Sequence, residues 1–424
     1  MDPTVDPALQ SELSAAVSAE TAAGVDLLRR LVEQPTVLGN EEPGQAVMAE
    51  AYRELGLQPV DVPMDAAELR AHPHAAPFSW DVTGKRNVVA GLGGDGAGRS
   101  LIFNGHIDVV SSQPDRLWST PPFRPTIDGD WMYGRGAGDM KSGLVAAVMA
   151  VAALRRVGVE PAGRLTLQSV VEEECGGNGA LACVAAGYTA DACVVIEPFG
   201  ATLTTAQVGV LWFDVTVAGH PVHVADAGEG ANAIEASYHV IRALRDLEAE
   251  LNTDPPPAFA AYPHPLNLNV GVIEGGDWRS TVAGECVTRF RLARYPGAPL
   301  EELRDRIEEV VAQASRTHPY LAEHPAVVSY DGFDCEGYEL PADEDVITEL
   351  RACHRTVTGT DPGLVATTAT TDARTFGLYG GIPSTCFGPY GEGYHAADER
   401  AFLPSITTTA QVLALMVCSW CGVR

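Results

Sequence analysis

The sequence predicts an α/β protein in two units: a mixed-sheet α/β unit assembled from both ends of the chain, and an α+β unit inserted between them. Three observations predict it. Up to about residue 206, short β-rich runs alternate with helical stretches of small residues; from Gln207 the pattern turns to half-exposed strands and amphipathic helices; after Phe333 the first pattern returns. At 424 residues the chain also exceeds one ordinary core. The expected division is 1–206 and 333–424 for the first unit and 207–332 for the insert.

In the first part, "NVVAGL", "SLIFNGHIDVV", "RLTLQSVV" and "ACVVIEP" read as strands buried on both faces, and "LVAAVMAVAALRRV" and "GALACVAAGY" as the helices between them. The glycines of "GLGGDGAG" invite a nucleotide-loop reading, but a strand follows instead of a helix and no Lys-Ser/Thr pair closes the loop, so a hairpin turn is expected. In the insert, "VLWFDVTVAG", "NAIEASYHVIRALRDLEAEL", "LNLNVGVI", "CVTRFRLARY", "PLEELRDRIEEVVAQA" and "AVVSYDG" run β-α-β-β-α-β, the order of a split βαβ, ferredoxin-like domain. "TDPPPAFAAYPHP" is a long loop inside it. Beyond Phe333 a helix is expected near Asp343 to Thr358, then a strand in "GIPSTCFGP".

A formal charge of −28, from 56 acids and 28 bases, repels phosphate backbones and anionic bilayers, so neither nucleic acid nor membrane is expected as a partner. No stretch is expected to reach the roughly 18 to 20 apolar residues of a spanning helix. The acids of "MDPTVDPALQSELSAAV" do not suit a secretory n-region, and a cytoplasmic location is expected. Nine cysteines without regular spacing fit a reducing compartment; Cys418 and Cys421 in "CSWC" have no second pair to complete a zinc site.

The chemistry starts at "GRGAGDMKSGLVAAV", where Asp139 stands between a glycine run and an apolar helix. It can serve as an N-cap. In "NGHIDVV", His106 and Asp108 lie two apart at the end of a strand and so point to one face, where a carboxylate can hold one imidazole nitrogen and leave the other for a metal. "VVEEECGG" puts Glu173 and Glu174 just past another apolar strand, "VVIEP" puts Glu197 past a third, and "GYHAADE" supplies His395. Open α/β sheets hold their sites at such strand ends. The mixed N/O set suits zinc or a similar divalent ion. One ion leaves ligands unused, whereas two ions about 3.5 to 4 Å apart and sharing a carboxylate use them all, with Asp139 as the natural bridge.

These stretches, with "WSTPPFRPTIDGDWMYGRGAGDMKSG", "EEECGGNGA", "GHPVHVADAGEGANAI" and "TDAR", make the chain resemble the M20 metallopeptidase and amidohydrolase family from about residue 20 to about residue 415. That family includes acetylornithine deacetylase, succinyl-diaminopimelate desuccinylase, aminoacylase and glutamate carboxypeptidase. The resemblance implies a zinc-exopeptidase-type catalytic domain whose insert serves as lid and homodimer interface. It implies two divalent ions, zinc or cobalt: His106 and Glu197 on one, His395 and Glu174 on the other, Asp139 bridging. Asp108 would orient His106, and Glu173 would be the general base. His223 would be the lid histidine that stabilises the tetrahedral intermediate, sometimes from the partner subunit, although His220 stands close by. Arg374 would hold a substrate carboxylate or else pair with a neighbouring acid, and Ser280 and Asn232 would complete the substrate contacts.

In the lid the chain departs from the family's Asn-Val-Val-Pro-like stretch, with Ser280 for the Asn and Ala283 for the Pro, and Trp278 and Ser280 come nearer a Trp-Pro-Ser version broken by Arg279. The implied activity is deacylation of a small N-acyl amino acid or related amine. A dipeptidase, a carboxypeptidase or a formylaminopyrimidine deformylase would use the same centre. A non-catalytic relative would have lost a ligand or Glu173, and all are present.

Overall fold

The computed structural model describes residues 5–94 and 97–424. Its main sheet has six strands in the order Val60–Pro63, Arg86–Leu92, Leu165–Val170, Leu101–His106, Ala192–Val195, Ser384–Cys386. The last four run parallel to one another and the first two are antiparallel additions. Every residue of the Leu101–His106, Leu165–Val170 and Ala192–Val195 strands is buried, which is why they read as continuous apolar runs.

The strand Leu165–Val170 lies between Arg86–Leu92 and Leu101–His106, so "GLGGDGAG" is a crossover and not the expected hairpin turn. Asp95 and Gly96 of that stretch lie outside the described residues. A β-carbon on Gly98 would stand 1.9 Å from the Cys421 carbonyl oxygen, so glycine is required by close packing against the end of the last helix.

That last helix, Leu403–Cys421, packs on Ser142–Arg156, and both pack on Pro7–Ala19. Contrary to the sequence expectation, two helical stretches, Ala137–Arg156 and Leu403–Cys421, are long and apolar enough by length and composition to span a bilayer. Their most apolar windows are 89% and 61% buried inside the fold, and small residues let them pack side by side in the main core. All nine cysteines are buried and free, Cys418 and Cys421 included.

The insert follows the expected order: strand Gly209–Ala218, helix Ala233–Leu251, strands Leu268–Gly275 and Glu285–Arg294, helix Leu300–Thr317, strand Val327–Ser329. Its antiparallel sheet runs Leu268–Gly275, Glu285–Arg294, Gly209–Ala218, Val327–Ser329. Leu211, Phe213, Val215 and Val217 alternate into a separate core under the two helices, where Phe213 stacks on Phe290 at 4.9 Å. Trp212 and Asp214 consequently face the other way.

Two further short sheets have no clear signal in the sequence. One joins Thr202–Gln207 to Tyr338–Glu339 and Gly363–Thr367. The other joins Thr126–Asp128 and Trp131–Tyr133 to Gly391–Glu392 and Arg400–Phe402, and so brings together the stretches that lead into Asp139 and His395.

Candidate metal centre and active site

His106 is the last residue of its strand, Glu173 and Glu174 sit in the single turn after Leu165–Val170, and Glu197 follows Ala192–Val195 by two residues. Because these strands are parallel neighbours, their side chains emerge at one edge of the sheet. The turn is held from behind. Glu172 adopts a left-handed backbone, φ 63°, and its buried Oε1 accepts hydrogen bonds from Lys85 Nζ and Trp80 Nε1, both at 2.8 Å. Left-handed backbone at a non-glycine residue persists only where surrounding contacts enforce it.

The main-chain carbonyl of Asp108, at 2.9 Å, holds His106 Nδ1, while the Asp108 carboxylate stands 3.7 Å off. This corrects the expected role: Asp108 orients the imidazole through its backbone, and its carboxylate accepts from the Glu174 N–H at 3.0 Å and the Glu173 N–H at 3.4 Å. The physical reason is the bend of the chain after the strand, which turns the Asp108 side chain toward the acidic turn. Holding Nδ1 leaves Nε2 free for the cavity side.

Asp139 is not an N-cap. The helix begins at Ser142, and Asp139 has extended dihedrals, φ −103° and ψ 100°, which lift its side chain off the helix axis. Its Oδ1 lies 3.1 Å from His106 Nε2 and its Oδ2 lies 3.6 Å from His395 Nε2. The two oxygens of one carboxylate thus address two different histidines. Glu197 approaches the first, at 3.9 Å from His106 Nε2, and Glu174 approaches the second, at 3.0 Å from His395 Nε2. Gly143 sets the depth of this edge: a β-carbon there would lie 2.0 Å from the Ile196 carbonyl, next to Glu197.

The electrostatics ask for cations. Burial pushes the Glu173 carboxyl well up against the pull of His106, and Asp372, Glu197 and Glu174 add to the push. Burial also raises Glu197, with Asp139 adding to it, and brings Asp108 to about 7. Burial would lower both histidines, yet their carboxylate partners raise His106 well above the ordinary range and His395 to about 11. Asp139 moves down, because hydrogen bonds to both histidines outweigh its burial. Glu173 Oε1 is buried with no hydrogen-bond partner. Buried carboxylates in excess of their histidines are stable when a bound ion supplies the missing positive charge. One donor atom each from His106, Asp139 and Glu174 lies within 4.8 Å of the others, a spacing that fits such an ion.

Glu173, Glu174 and His395 open onto a cavity of about 820 Å³ whose far wall is the insert sheet, with Trp212, Asp214 and Arg289. The other expected substrate residues are not on its wall. Arg374 is 1% exposed and donates to the Thr371 and Gly176 carbonyls, both at 2.8 Å, so it neither reaches the cavity nor forms an ion pair among the described residues. Asn232 Oδ1 caps the helix Ala233–Leu251 by accepting from Ile234 N at 3.0 Å. Ser280 is exposed and its carbonyl accepts from Val224 N. His223 is exposed, with Nδ1 accepting from Ala225 N at 3.1 Å.

Three residues that matter here escaped the sequence reading. Asp372 is fully buried beside Glu173, Glu399 is fully buried behind Asp139, and Arg291 lines the cavity while donating to the Asn267 and Thr368 carbonyls. The signal for the two acids was a charged residue next to apolar strand or helix sequence, in "TTDARTF" and "ADERAF".

The model of peptidase family M20/M25/M40 matches residues 102–419. The chain belongs to peptidase family M20. It is 32% identical over 368 residues to an N-formyl-4-amino-5-aminomethyl-2-methylpyrimidine deformylase of Halalkalibacterium halodurans, covering 81% of this chain and 85% of the relative. It is 28% identical over 408 residues to a succinyl-diaminopimelate desuccinylase of Methylocella silvestris, covering 92% and 96%. The solved dipeptidase Dug1p of Saccharomyces cerevisiae superposes with a TM-score of 0.80 at 16% identity over 99% of both chains, a likeness of fold. As an M20 member with such relatives, the protein is a metal-dependent hydrolase of amide C–N bonds.

Proposed function

We propose that this M20 hydrolase removes a small acyl group from an N-acyl amino acid or related amine, using two divalent ions, zinc with cobalt as a competent substitute. The observation that carries the proposal is the division of the Asp139 oxygens between His106 and His395, beside a Glu173 that faces the cavity. His106 and Glu197 would hold one ion and His395 and Glu174 the other, with Asp139 common to both. When bound, such ions polarise an amide carbonyl and lower the pKa of a water molecule.

The protein's own part falls to Glu173. Its Oε2 stands 3.9 Å from His106 Nε2, so it can take the proton of the attacking water and deliver it to the leaving nitrogen. His223, absent from the cavity wall of its own chain, would act from a second copy in a homodimer formed through the insert. Mixing His223→Ala with Glu173→Ala would then restore part of the activity that each lacks alone. The nine buried free thiols suit a cytoplasmic location.

A formyl group on an aminopyrimidine is a second candidate substrate. Trp80, Trp212 and Phe333 on the cavity wall suit a flat ring, and Asp214 and Asp331 suit its amino groups. The relative at 32% identity is named for that substrate. The deciding experiment is amine release by chelated enzyme, with zinc or cobalt added back, from N-acetyl, N-formyl and N-succinyl amino acids, dipeptides and formylaminopyrimidines. Metal-dependent release from one acyl class is the expected result. No release from any of them, with two ions bound, would overturn the proposal.

A further inference from the structure

Glu399 stands four residues after His395, is 0% exposed, and points away from the cavity into the loop that carries Asp139. Its Oε1 accepts from the Gly138 and Asp139 N–H groups, both at 2.9 Å. Its Oε2 accepts from Gly136 N at 3.0 Å and from Arg135 Nη1 at 2.6 Å. The same Arg135 donates through Nη2 to the Ala396 carbonyl at 3.1 Å, and Gly134 N donates to the Glu399 carbonyl at 2.9 Å. One carboxylate therefore ties the loop 134–139 to the loop 394–399. Inward-pointing N–H groups of a glycine-rich loop form an anion nest, and here the anion is a side chain of the other loop.

The second loop needs such a tie. His395 and Asp398 both have left-handed backbone, φ 59°, a region unfavourable for a non-glycine residue that persists only when contacts over-determine it. Asp398 is fixed by Ser119, whose N–H and hydroxyl donate to its Oδ1 at 2.7 and 2.9 Å. Glu399 fixes the other side. Neither glutamate oxygen lies among the donor atoms that converge on the cavity edge.

We propose that Glu399 is a positioning residue that sets the spacing between Asp139 and His395, and with it the affinity for the ion held by His395, Glu174 and Asp139. The inference rests on the two-ion centre proposed above. It gives the two ions unequal dependence on Glu399: Asp139 serves both, but His395 reaches only one of them, and the other keeps His106 and Glu197 on strand ends that Glu399 does not touch.

The test is metal uptake by chelated protein, read as zinc per chain and as the visible spectrum during cobalt titration, with the melting temperature of the metal-free protein alongside. In Glu399→Gln the shape is kept, but an NH₂ group meets N–H donors and at least two of the bonds above are lost. The expected result is one ion bound as in the wild type and the other weakened about 10- to 100-fold, with turnover returning at high metal concentration. Arg135→Lys, which cannot reach Glu399 and Ala396 at once, should shift the same ion by less, and it carries the comparison if Glu399→Gln does not fold. Equal weakening of both ions, or two ions bound as in the wild type, would overturn the inference while leaving the two-ion centre standing. A wild-type protein that takes up fewer than two ions overturns both.

Discussion

The two walls of the cavity are built on opposite plans. On the sheet edge, His106, Asp108, Glu173 and Glu197 are each at most 5% exposed, and the side chains of His106 and Asp108 are held by main-chain groups. On the insert, Val272 is 43% exposed, Arg289 is tied to Asp214 and to Glu274 at the sheet surface, and the cavity is met by the unburied face of an antiparallel sheet. A fixed wall suits bond cleavage, which depends on sub-ångström placement, and an open wall suits selection among amines, which depends on shape and charge. Substitutions on the two walls should therefore fail in different ways.

The largest expected effect is removal of metal. Chelated protein should lose amide hydrolysis completely and regain it with zinc or cobalt, so activity that survives chelation would break the scheme. Next comes Glu173→Ala, expected to keep two ions per chain by elemental analysis while kcat falls about 100-fold or more. Loss of an ion from that variant would mean that the roles of Glu173 and Glu174 are exchanged. On the opposite wall, Trp212→Ala should leave metal content unchanged and lower kcat/KM about ten-fold for substrates with an aromatic amine, with little change for aliphatic ones. Equal losses for both classes would erase the contrast between the walls.

The smallest effect concerns stability. Both oxygens of Asp372 are buried without a hydrogen-bond partner, and burial pushes its carboxyl up to about 6, against the pull of Arg374 and His106. The folded protein thus binds this proton more tightly than the unfolded chain, whose carboxyl titrates near the ordinary value of about 3.8. The stability contribution is full below the unfolded value and is lost as pH rises through about 6. Asp372→Asn should remove that slope, so that between about pH 4 and about pH 7 chelated wild type loses roughly 1–3 kcal/mol more than the variant in urea unfolding. Parallel curves for the two proteins would show that Asp372 does not titrate in this range.

The same contrast explains what could be read from the amino-acid order. His106, Glu173, Glu174 and Glu197 were visible because an acid or histidine that ends a wholly apolar run has few explanations other than a strand-end site. The insert's element order was visible because its strands alternate and its helices are amphipathic. The direction of the Arg86–Leu92 connection was not, since pairing partners belong to the whole sheet and "GLGGDGAG" carries no mark of the strand that enters beside it. Arg374 and Asn232 were misplaced because residue type does not tell whether a guanidinium meets substrate or carbonyls, or whether an asparagine caps a helix. Glu399 was missed because its partners are backbone N–H groups, which every sequence contains.

The closing elements of the α/β unit have a consequence for the order in which the protein is made. Ser384–Cys386 supplies the last strand of the main sheet, and Leu403–Cys421 packs on the helices Ser142–Arg156 and Pro7–Ala19, yet both are translated after the insert. The insert is continuous in the chain and has its own core, so it can fold while the first unit still waits at the ribosome for an edge strand and a core helix. His395 and Glu399 emerge between that strand and that helix. Asp139 and Glu174 meet their second histidine only after the insert has been made, which puts completion of the centre after the folding of the insert.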